Sequence, residues 1–451
     1  MVGKRICLIG AGPSGMSVLY QAEKLRKKGR NLPEIVCYEK QSNWGGLWNY
    51  TWRTGLDEYG EPVHSSMYRH LWSNGPKEAL ELPDYTFEDH YGKPIASFPS
   101  REVLFDYLKG RWKKEESLRK CILFNHVVRN VDYNDSTDNF TVVAKNLKED
   151  KLLPPEVFDY VVVASGHFST PNVPSFPGIE TFPGIVLHAH DFRDAEAYRN
   201  KRLLMIGSSY SAEDLALQCA KYGASSIVCT WRTKPMGFKW PSTITERPLL
   251  TKIEGSTCHF KDGSNYEADC IIQCTGYQIS YPFLSENLRL RGENLQYLEG
   301  LYKGILWTGD GKGKLFYVGA QNEYYTFTMF DVQALWVVKY IIGDMPAPDC
   351  KGIEEYWACW VERRSKLKDC HDEIDFQTEF LDGLAEECNY GYNLDCSEIF
   401  HQLEHDKEED ILTYRDKSFA SNITGTQSPF PHCTFMNAFD DSINACLGTS
   451  H

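Results

Sequence analysis

The residues of this chain best suited to chemistry form two short turns, each spaced to cradle the phosphates of a dinucleotide. In the first, an apolar stretch from residue 4 runs into GAGPSG, with Gly10, Gly12 and Gly15 at the fingerprint positions and Ser14 among them. The three glycines provide a tight turn, close approach of backbone to pyrophosphate, and close packing of the next helix on its strand, with phosphates at the positive helix N-terminus. An acid completes the pattern. Glu39 stands 24 residues after Gly15, where a carboxylate can accept from a ribose hydroxyl. The second turn follows residues 201–206 and reads Gly207, Ser208, Ser209, Tyr210, Ser211, Ala212. Serine replaces its middle glycine and alanine its last, so the glycine pattern alone is degraded. Its follow-on strand, 225–231, ends in Trp231, Arg232 and Thr233 where the first ends in an acid. A guanidinium and a hydroxyl at that point suit a 2′-phosphate, whereas a carboxylate suits a free hydroxyl. FAD therefore fits the first turn and NADP(H) the second, and a chain that holds both passes electrons between them.

The remaining composition narrows the chemistry. No telling pair of carboxylates and no nucleophile–base set stands out. Fifteen cysteines, an odd number without any CxxC, are scattered along the chain, which suits buried thiols in a reducing compartment and speaks against a metal site. A net charge of −14 with no basic stripe argues against nucleic acid as a partner. No run approaches the roughly 18 apolar residues of a membrane span, and the apolar residues 6–9 turn at once into the glycine loop, unlike a leader. A cytoplasmic protein with no membrane partner is expected, and the sequons at Asn49, Asn134, Asn139 and Asn422 are read as chance matches. The acidic run 404–410 reads as a solvated face or helix end.

Two α/β units are needed to hold the two turns, and the length allows two or three domains. The first unit is expected as a strand to residue 9, a helix over 16–27 and a strand over 34–39. Residues 120–131 and 139–144 read as an antiparallel hairpin layer, and 158–164 as a buried parallel strand broken only by Asp159. Pro171, Pro174, Pro177 and Pro183 then mark a stiff crossing. Residues 270–276 repeat the earlier pattern, a similar strand closing on a small-residue turn that contains Thr275. The chain thus leaves its first unit at Gly166 and returns at Gly276, which predicts nested insertion. The fold class is α/β with two Rossmann-like domains: 1–168 as the first part of the FAD domain, 169–276 as an inserted NADP domain, and 277–451 as the rest of the FAD domain with a helical C-terminal region. A strand at 315–319 precedes a helix over 328–339 with one apolar face. Its N-terminus either stabilises negative charge on a reduced flavin ring or simply packs, and both readings stand.

Between the two turns, residues 182–192 read FPGIVLHAHDF and match FxGxxxHxxxF, so the chain resembles the flavin-containing monooxygenases and their Baeyer–Villiger relatives. With GAGPSG before the motif, GSSYSAED at 207–214 and CTGY at 274–277, the resemblance spans nearly the whole chain. NWGGLWNYTWR at 43–53, VHSSMY at 63–68, LWSNGPKE at 71–78 and MFDVQA at 329–334 look like the bacterial trimethylamine monooxygenases, soluble members of that family. The resemblance implies FAD, NADPH, O₂ and a small tertiary amine oxidised to its N-oxide through a C4a-hydroperoxyflavin, in a homodimer. Two alternatives stay open: an N- or S-oxygenase of larger xenobiotics or alkaloids, and an NADPH oxidase or nucleotide-binding redox sensor. A Baeyer–Villiger enzyme is disfavoured, because the motif lacks the Trp-Pro ending and Phe192 follows Asp191 directly.

By the same resemblance Asn74 is the active-site amide, donating to the flavin peroxide or the substrate while accepting from the nicotinamide or its ribose; read alone, Asn-Gly is a turn signal. Tyr210 matches a tyrosine beside the nicotinamide and oxygen pocket, where its bulk would gate the cavity, with interface packing as the plain alternative. Arg232 and Thr233 are the implied 2′-phosphate pair, and Ser208, Ser209 and Ser211 further phosphate donors. Cofactor contacts are implied at Ser14, Glu39, Lys40, Gln41, Gly46, Leu47, Trp48, His64, Tyr68, Val128, Thr275, Gln321 and Thr326. Trp44 and Trp48 are equally readable as core aromatics, and His167 and His188 as structural. Leu403 aligns with a tryptophan near the substrate cavity of the trimethylamine enzymes. Losing that ring removes an aromatic face for a cationic amine and would admit bulkier amines or sulfides, unless Phe400 substitutes.

Overall fold

The computed structural model describes residues 3–292 and 298–448. It opens with strand β1 (Arg5–Ile9), helix α1 (Pro13–Lys27) and strand β2 (Glu34–Glu39), then helices α2 (Phe87–Tyr91) and α3 (Arg101–Lys113). Strand β3 (Ile122–Phe124) precedes an antiparallel group, β4 (His126–Asn134), β5 (Asn139–Asn146), β6 (Lys151–Leu152) and β7 (Glu156–Phe158), and β8 (Tyr160–Val163) closes this part. The next segment carries β9 (Ile185–His188), β10 (Arg202–Ile206), α4 (Tyr210–Lys221), β11 (Ser226–Trp231) and β12 (Ile244–Pro248). A small antiparallel layer of β13 (Leu250–Glu254), β14 (Thr257–Phe260) and β15 (Asn265–Glu267) leads to β16 (Cys270–Gln273). The chain finishes with β17 (Leu301–Tyr302), β18 (Leu306–Trp307), β19 (Leu315–Tyr317) and helices α5 (Phe327–Ile341), α6 (Cys350–Arg364), α7 (Cys370–Glu387), α8 (Ser397–Glu409) and α9 (Ile443–Leu447).

Two separate sheets result. A seven-stranded sheet runs β17-β18-β19-β8-β1-β2-β3, with its last five strands parallel; a five-stranded sheet runs β12-β11-β10-β16-β9, parallel throughout. The chain leaves the first sheet after β8, builds the second, and returns for β17, which is the predicted insertion. The strands are near-continuous apolar runs because both faces are covered, by helices on one side and by an antiparallel layer on the other, β4 and β5 against the first sheet and β13 and β14 against the second. Cys7, Leu8, Val161, Val162, Leu203, Leu204, Ile271 and Ile272 are all fully buried. The single polar break in the first unit's run is tied down: Asp159 accepts from the Arg5 N–H at 2.7 Å.

Several expectations need correction. Residues 120–131 are not one hairpin strand, because β3 joins the edge of the main sheet beside β2 and only β4 pairs antiparallel with β5. The first helix starts at Pro13, whose ring presets the helical φ at the first position. Helix α5 is buried on nearly every face, packed on α1 and α7. The run 404–410 is a helix end, the last turns of α8, but only partly solvated: His405, Glu408 and Glu409 are exposed, while Glu404, Asp406 and Lys407 are buried, Lys407 on Glu213 at 2.8 Å. Beyond Asp410 the described chain is mostly irregular, and Cys350, Cys359 and Cys433 are exposed where buried thiols were expected.

One buried ion pair fixes α5. Arg111 on α3 donates to Asp331 at 2.8 and 3.0 Å and to Asp84 at 2.9 Å, while the Tyr390 hydroxyl donates to Asp331 at 2.6 Å. Arg111 and Asp331 are wholly buried, so each partner cancels a desolvation penalty that the other would otherwise carry alone. Among the described residues no helix is long and apolar enough to cross a membrane.

Candidate active site

The first turn is closed by its neighbours. Gly10 has φ +103°, and a Cβ there would lie 2.6 Å from the Ala164 carbonyl oxygen; one on Gly15 would lie 2.0 Å from the Gly10 oxygen. Only glycine lets β1 pass beside β8 and α1 settle back on the strand. Gly12 instead faces Gly46, so two glycines oppose each other across the mouth of the turn. Glu39 ends β2 beneath it. Its carboxylate accepts from the N–H of Ala11 at 2.6 Å and of Gln41 at 2.7 Å, and burial raises its pKa despite those bonds.

The residues around this turn are held by one another. Gln41 donates to the Gly46 carbonyl at 3.0 Å and accepts from Asn49 at 3.1 Å, and Lys40 donates to the Pro62 carbonyl at 2.5 Å. Leu47 and Trp48 follow Gly46 in a single tight turn, with Trp48 edge-on to Phe327 at 5.5 Å. The His64 Nε2 lies 2.7 Å from the Ser165 carbonyl, and burial pushes the imidazole down to about 4. Ser14 is buried against Gly319, whose φ of +70° turns the chain from β19 towards α5. The Gly319 N–H donates to Gln333 at 2.9 Å, and Gln333 donates to Gln321 at 3.3 Å. Gln333, within MFDVQA, shows no role by sequence; in the fold it links the Ser14 side of the turn to Gln321. Thr326 immediately precedes α5. Val128 is buried on β4 in the cluster that holds Ile9 and Tyr38.

At the second turn only the first position is equally closed. A Cβ on Gly207, at φ +140°, would lie 2.2 Å from the Cys274 carbonyl oxygen. Past it, Ser209, Tyr210 and Ser211 are exposed at the start of α4, and Tyr210 is 42% exposed. Ser208 donates to the Lys234 carbonyl at 3.2 Å. Arg232 and Thr233 are exposed just beyond β11, and Arg232 has no ion pair or hydrogen bond among the described residues. Thr275 laces the crossing, donating to the Asn172 carbonyl at 2.6 Å.

A buried network that sequence reasoning missed joins α4 to the segment bearing Asn74. Asp214 accepts from the Tyr68 hydroxyl and from Arg415 at 2.5 Å, and Arg415 donates to the Ser73 carbonyl at 3.0 Å. The residue before Asn74 is thereby tied to the helix that Tyr210 begins. Asn74 itself is exposed, and its amide makes no hydrogen bond among the described residues, so both its functions are available to a ligand. The Lys407 ammonium lies 4.9 Å from the Tyr210 ring centroid and 5.4 Å from that of Phe238, with Glu213 as its counter-ion. The signal was present in GSSYSAED, whose Glu213 and Asp214 are acids on an otherwise buried helix face.

A family model described as flavin-binding monooxygenase-like matches residues 3–236 and 241–394. The chain belongs to this family. It is 53% identical over 443 residues to the trimethylamine monooxygenase of Methylocella silvestris, covering 98% of this chain and 97% of that one. The crystal structure of Tmm from Pelagibacter sp. strain HTCC7211 superposes with a TM-score of 0.94 at 46% identity, covering 98% of this chain and all of that one. The S-allyl-L-cysteine S-oxygenase of Allium sativum superposes with a TM-score of 0.78 at 26% identity, covering 92% and 95%.

As a flavin-binding monooxygenase, this protein uses its 182–192 motif to join its parts. A Cβ on Gly184 would lie 2.2 Å from the Asp269 carbonyl oxygen, and Phe192 is fully buried, stacked on Tyr198 and edge-on to Tyr68. His188 accepts from the His190 N–H at 3.0 Å, and His167 Nδ1 lies 3.0 Å from the Gly319 carbonyl. Both imidazoles are pushed down to about 4 by burial, which leaves them neutral spacers. Trp44 is a core aromatic against Trp112 at 5.8 Å. Leu403 is buried in the main core, while Phe400 packs edge-on to Tyr324 and Tyr325.

Proposed function

We propose that this monooxygenase uses NADPH and O₂ to N-oxygenate small tertiary amines, trimethylamine first among them. One observation carries the reading: two unlike dinucleotide turns, one sealed on an acid and one open beside a free Arg232, in a chain 53% identical to a trimethylamine monooxygenase along 98% of its length. The residues fit both groups. Gly10 and Gly15 let strand and helix close up around the turn and Gly12 keeps its mouth clear beside Gly46, with Ser14, Glu39, Gln41, Trp48, His64 and Gln321 around it, for FAD. Residues 169–276 would hold NADPH, with Ser208, Ser209 and Ser211 at its phosphates and Arg232 with Thr233 at the 2′-phosphate.

A flavin held at the first turn would supply the redox chemistry, with NADPH as two-electron reductant and O₂ as oxidant, one oxygen atom ending on the amine nitrogen and the other as water. The chain's part is binding, orientation and exclusion of solvent. Asn74 offers an N–H₂ donor and a carbonyl acceptor from one rigid amide, enough to orient a reacting oxygen and a nicotinamide or ribose group together. Arg415 and Asp214 hold that segment against α4. Tyr210, Tyr324 and Phe400 supply aromatic cover that keeps water from the reacting atoms.

Purified yellow protein would be assayed for aerobic NADPH consumption with and without trimethylamine, with the N-oxide quantified by mass spectrometry. Stoichiometric N-oxide is expected; NADPH loss yielding peroxide and no N-oxide would refute amine oxygenation. A second reading rests on Leu403. The resemblance sets Leu403 against an indole of the trimethylamine enzymes; if that position borders the substrate, kcat/KM for a larger tertiary amine or an alkyl sulfide should approach that for trimethylamine.

A further inference from the structure

Where the segment leading to Asn74 meets the segment that follows the 182–192 motif, a group of ionisable side chains takes no part in oxygenation. One ring nitrogen of His70, one carboxylate oxygen of Asp194 and one of Glu196 lie within 4.8 Å of one another, the one such group of potential metal ligands among the described residues. His70 is 5% exposed, and neither of its ring nitrogens has a hydrogen-bond partner. Nδ1 has the Asp441 carboxylate at 3.3 Å, but Nε2 is buried with nothing among the described residues to meet it, and buried polar atoms of this kind usually have a partner. Tyr222 stacks on the ring at 5.3 Å between centroids. Its hydroxyl is also buried without a partner, and it is pushed up to about 12 by burial and by the carboxylates of Asp194, Asp441 and Glu196. Two guanidiniums face the group. Arg69, half exposed, pairs with Asp194 at 2.9 Å, and Arg101 reaches Asp441 at 3.8 Å. Neither touches Glu196, and neither can serve the His70 nitrogens, which need an acceptor or a metal ion.

We propose that His70, Asp194 and Glu196 form a binding site for a divalent transition-metal ion, zinc in the first instance, that ties the segment bearing Asn74 to the inserted unit. One imidazole with two carboxylates is a donor set zinc accepts, whereas calcium and magnesium favour oxygen alone. Asp441 Oδ1 lies 3.3 Å from the His70 Nδ1, poorly aligned for a hydrogen bond, and Asp441 also accepts from the His70 backbone N–H at 3.0 Å. A small ring rotation would complete the carboxylate–imidazole–metal relay, fixing the tautomer and leaving Nε2 to the ion. Asp194 and Glu196 sit at the start of a short turn, with Glu196 exposed, so side-chain torsion alone can bring their oxygens to the ~2.0–2.2 Å a zinc ion requires. The cost is release of Arg69 from Asp194, an exposed pair of little worth.

The test takes the FAD-loaded full chain, strips it with EDTA, removes the chelator and dialyses it against Zn²⁺, counting bound zinc by atomic emission and following thermal unfolding in parallel. One saturable equivalent that raises the unfolding midpoint is expected. Glu196→Gln should weaken it by at least about 10-fold, the scale on which even a ligand's outer partner acts. His70→Gln is buried enough to perturb folding, whereas Glu196 is exposed, so its variant keeps the test decisive. Zinc retained undiminished by both Glu196→Gln and Asp194→Asn would assign it to the exposed thiols of Cys350, Cys359 and Cys433 and overturn the site. Absence of any saturable equivalent would overturn it as well.

Discussion

The two dinucleotide turns begin alike and then part. At each, the first glycine is forced by a carbonyl from the end of the adjoining parallel strand, Ala164 for Gly10 and Cys274 for Gly207. After that position the first turn stays closed, with Gly15 under its own strand, Ser14 buried and both oxygens of Glu39 holding backbone N–H groups. The second opens, leaving Ser209, Tyr210, Ser211, Arg232 and Thr233 exposed. The first glycine therefore serves the strand–helix connection wherever it occurs, and Gly15 does so again in the first turn, while Gly12 faces Gly46 across the mouth of the turn. A closed turn suits a resident group, and an open one suits a nucleotide that enters and leaves in each cycle.

The sharpest way to break this division is Gly10→Ala against Gly207→Ala. Both replacements face a carbonyl at under 3 Å and a positive φ, so both should lower the unfolding temperature; only Gly10→Ala should also abolish bound flavin, read as yellow absorbance per chain. Flavin loss from Gly207→Ala would contradict the assignment of the two turns. Asn74→Ala comes next: the protein should stay yellow while N-oxide formation falls on the order of 10²-fold, the scale of removing one preorganised donor. Full product yield would take Asn74 out of the mechanism. Arg232→Ala should raise the NADPH KM by roughly 10- to 100-fold, for a charge-assisted contact of about 1.5–3 kcal/mol, with flavin content unchanged. An unaltered preference for NADPH over NADH would remove the guanidinium from the 2′-phosphate.

The smallest effect concerns pH. His64 and His167 beside the first turn, and His188 in the inserted unit, are each pushed down to about 4 by burial, from an ordinary 6.5. Between those values the unfolded chain binds protons that the folded chain refuses, so stability falls as pH drops from about 6.5 towards 4 and levels off below. His64→Gln should flatten the slope of Tm against pH across that window. A slope unchanged by the substitution would show that His64 titrates normally.

What the sequence made legible was local. Apolar runs closing on glycine gave β1, β8, β10 and β16, and the unlike ends of β2 and β11, Glu39 and Arg232, could be read as well, because these signals lie within one βαβ unit. What stayed hidden was long-range. Arg111 and Asp331 are 220 residues apart, as charged residues look alike until the fold buries them together. Lys407 looked solvated because its partner Glu213 sits in another unit. Asp214 and Arg415, which hold Ser73 beside Asn74, left no spacing to read, since three distant segments meet there. Residues 120–131 were misjudged at the boundary for a related reason: Asn125, in the left-handed region at φ 58°, breaks one apolar run into strands of two different sheets.

The two passages between the sheets lie side by side. Pro171 bridges Tyr277, the Asn172 N–H donates to the Gly276 carbonyl at 2.9 Å, and the Gln278 N–H donates to that of Thr170 at 2.8 Å. The chain therefore enters and leaves the inserted unit at one laced crossing, while α4 is tied down elsewhere by Tyr68 and Arg415 on Asp214, by Lys407 on Glu213, by Gln218 on the His70 carbonyl and by Lys221 on the Ala438 carbonyl. A swing of the whole unit about that crossing would have to break these buried ties together, so loosening Asp214 alone leaves the unit in place.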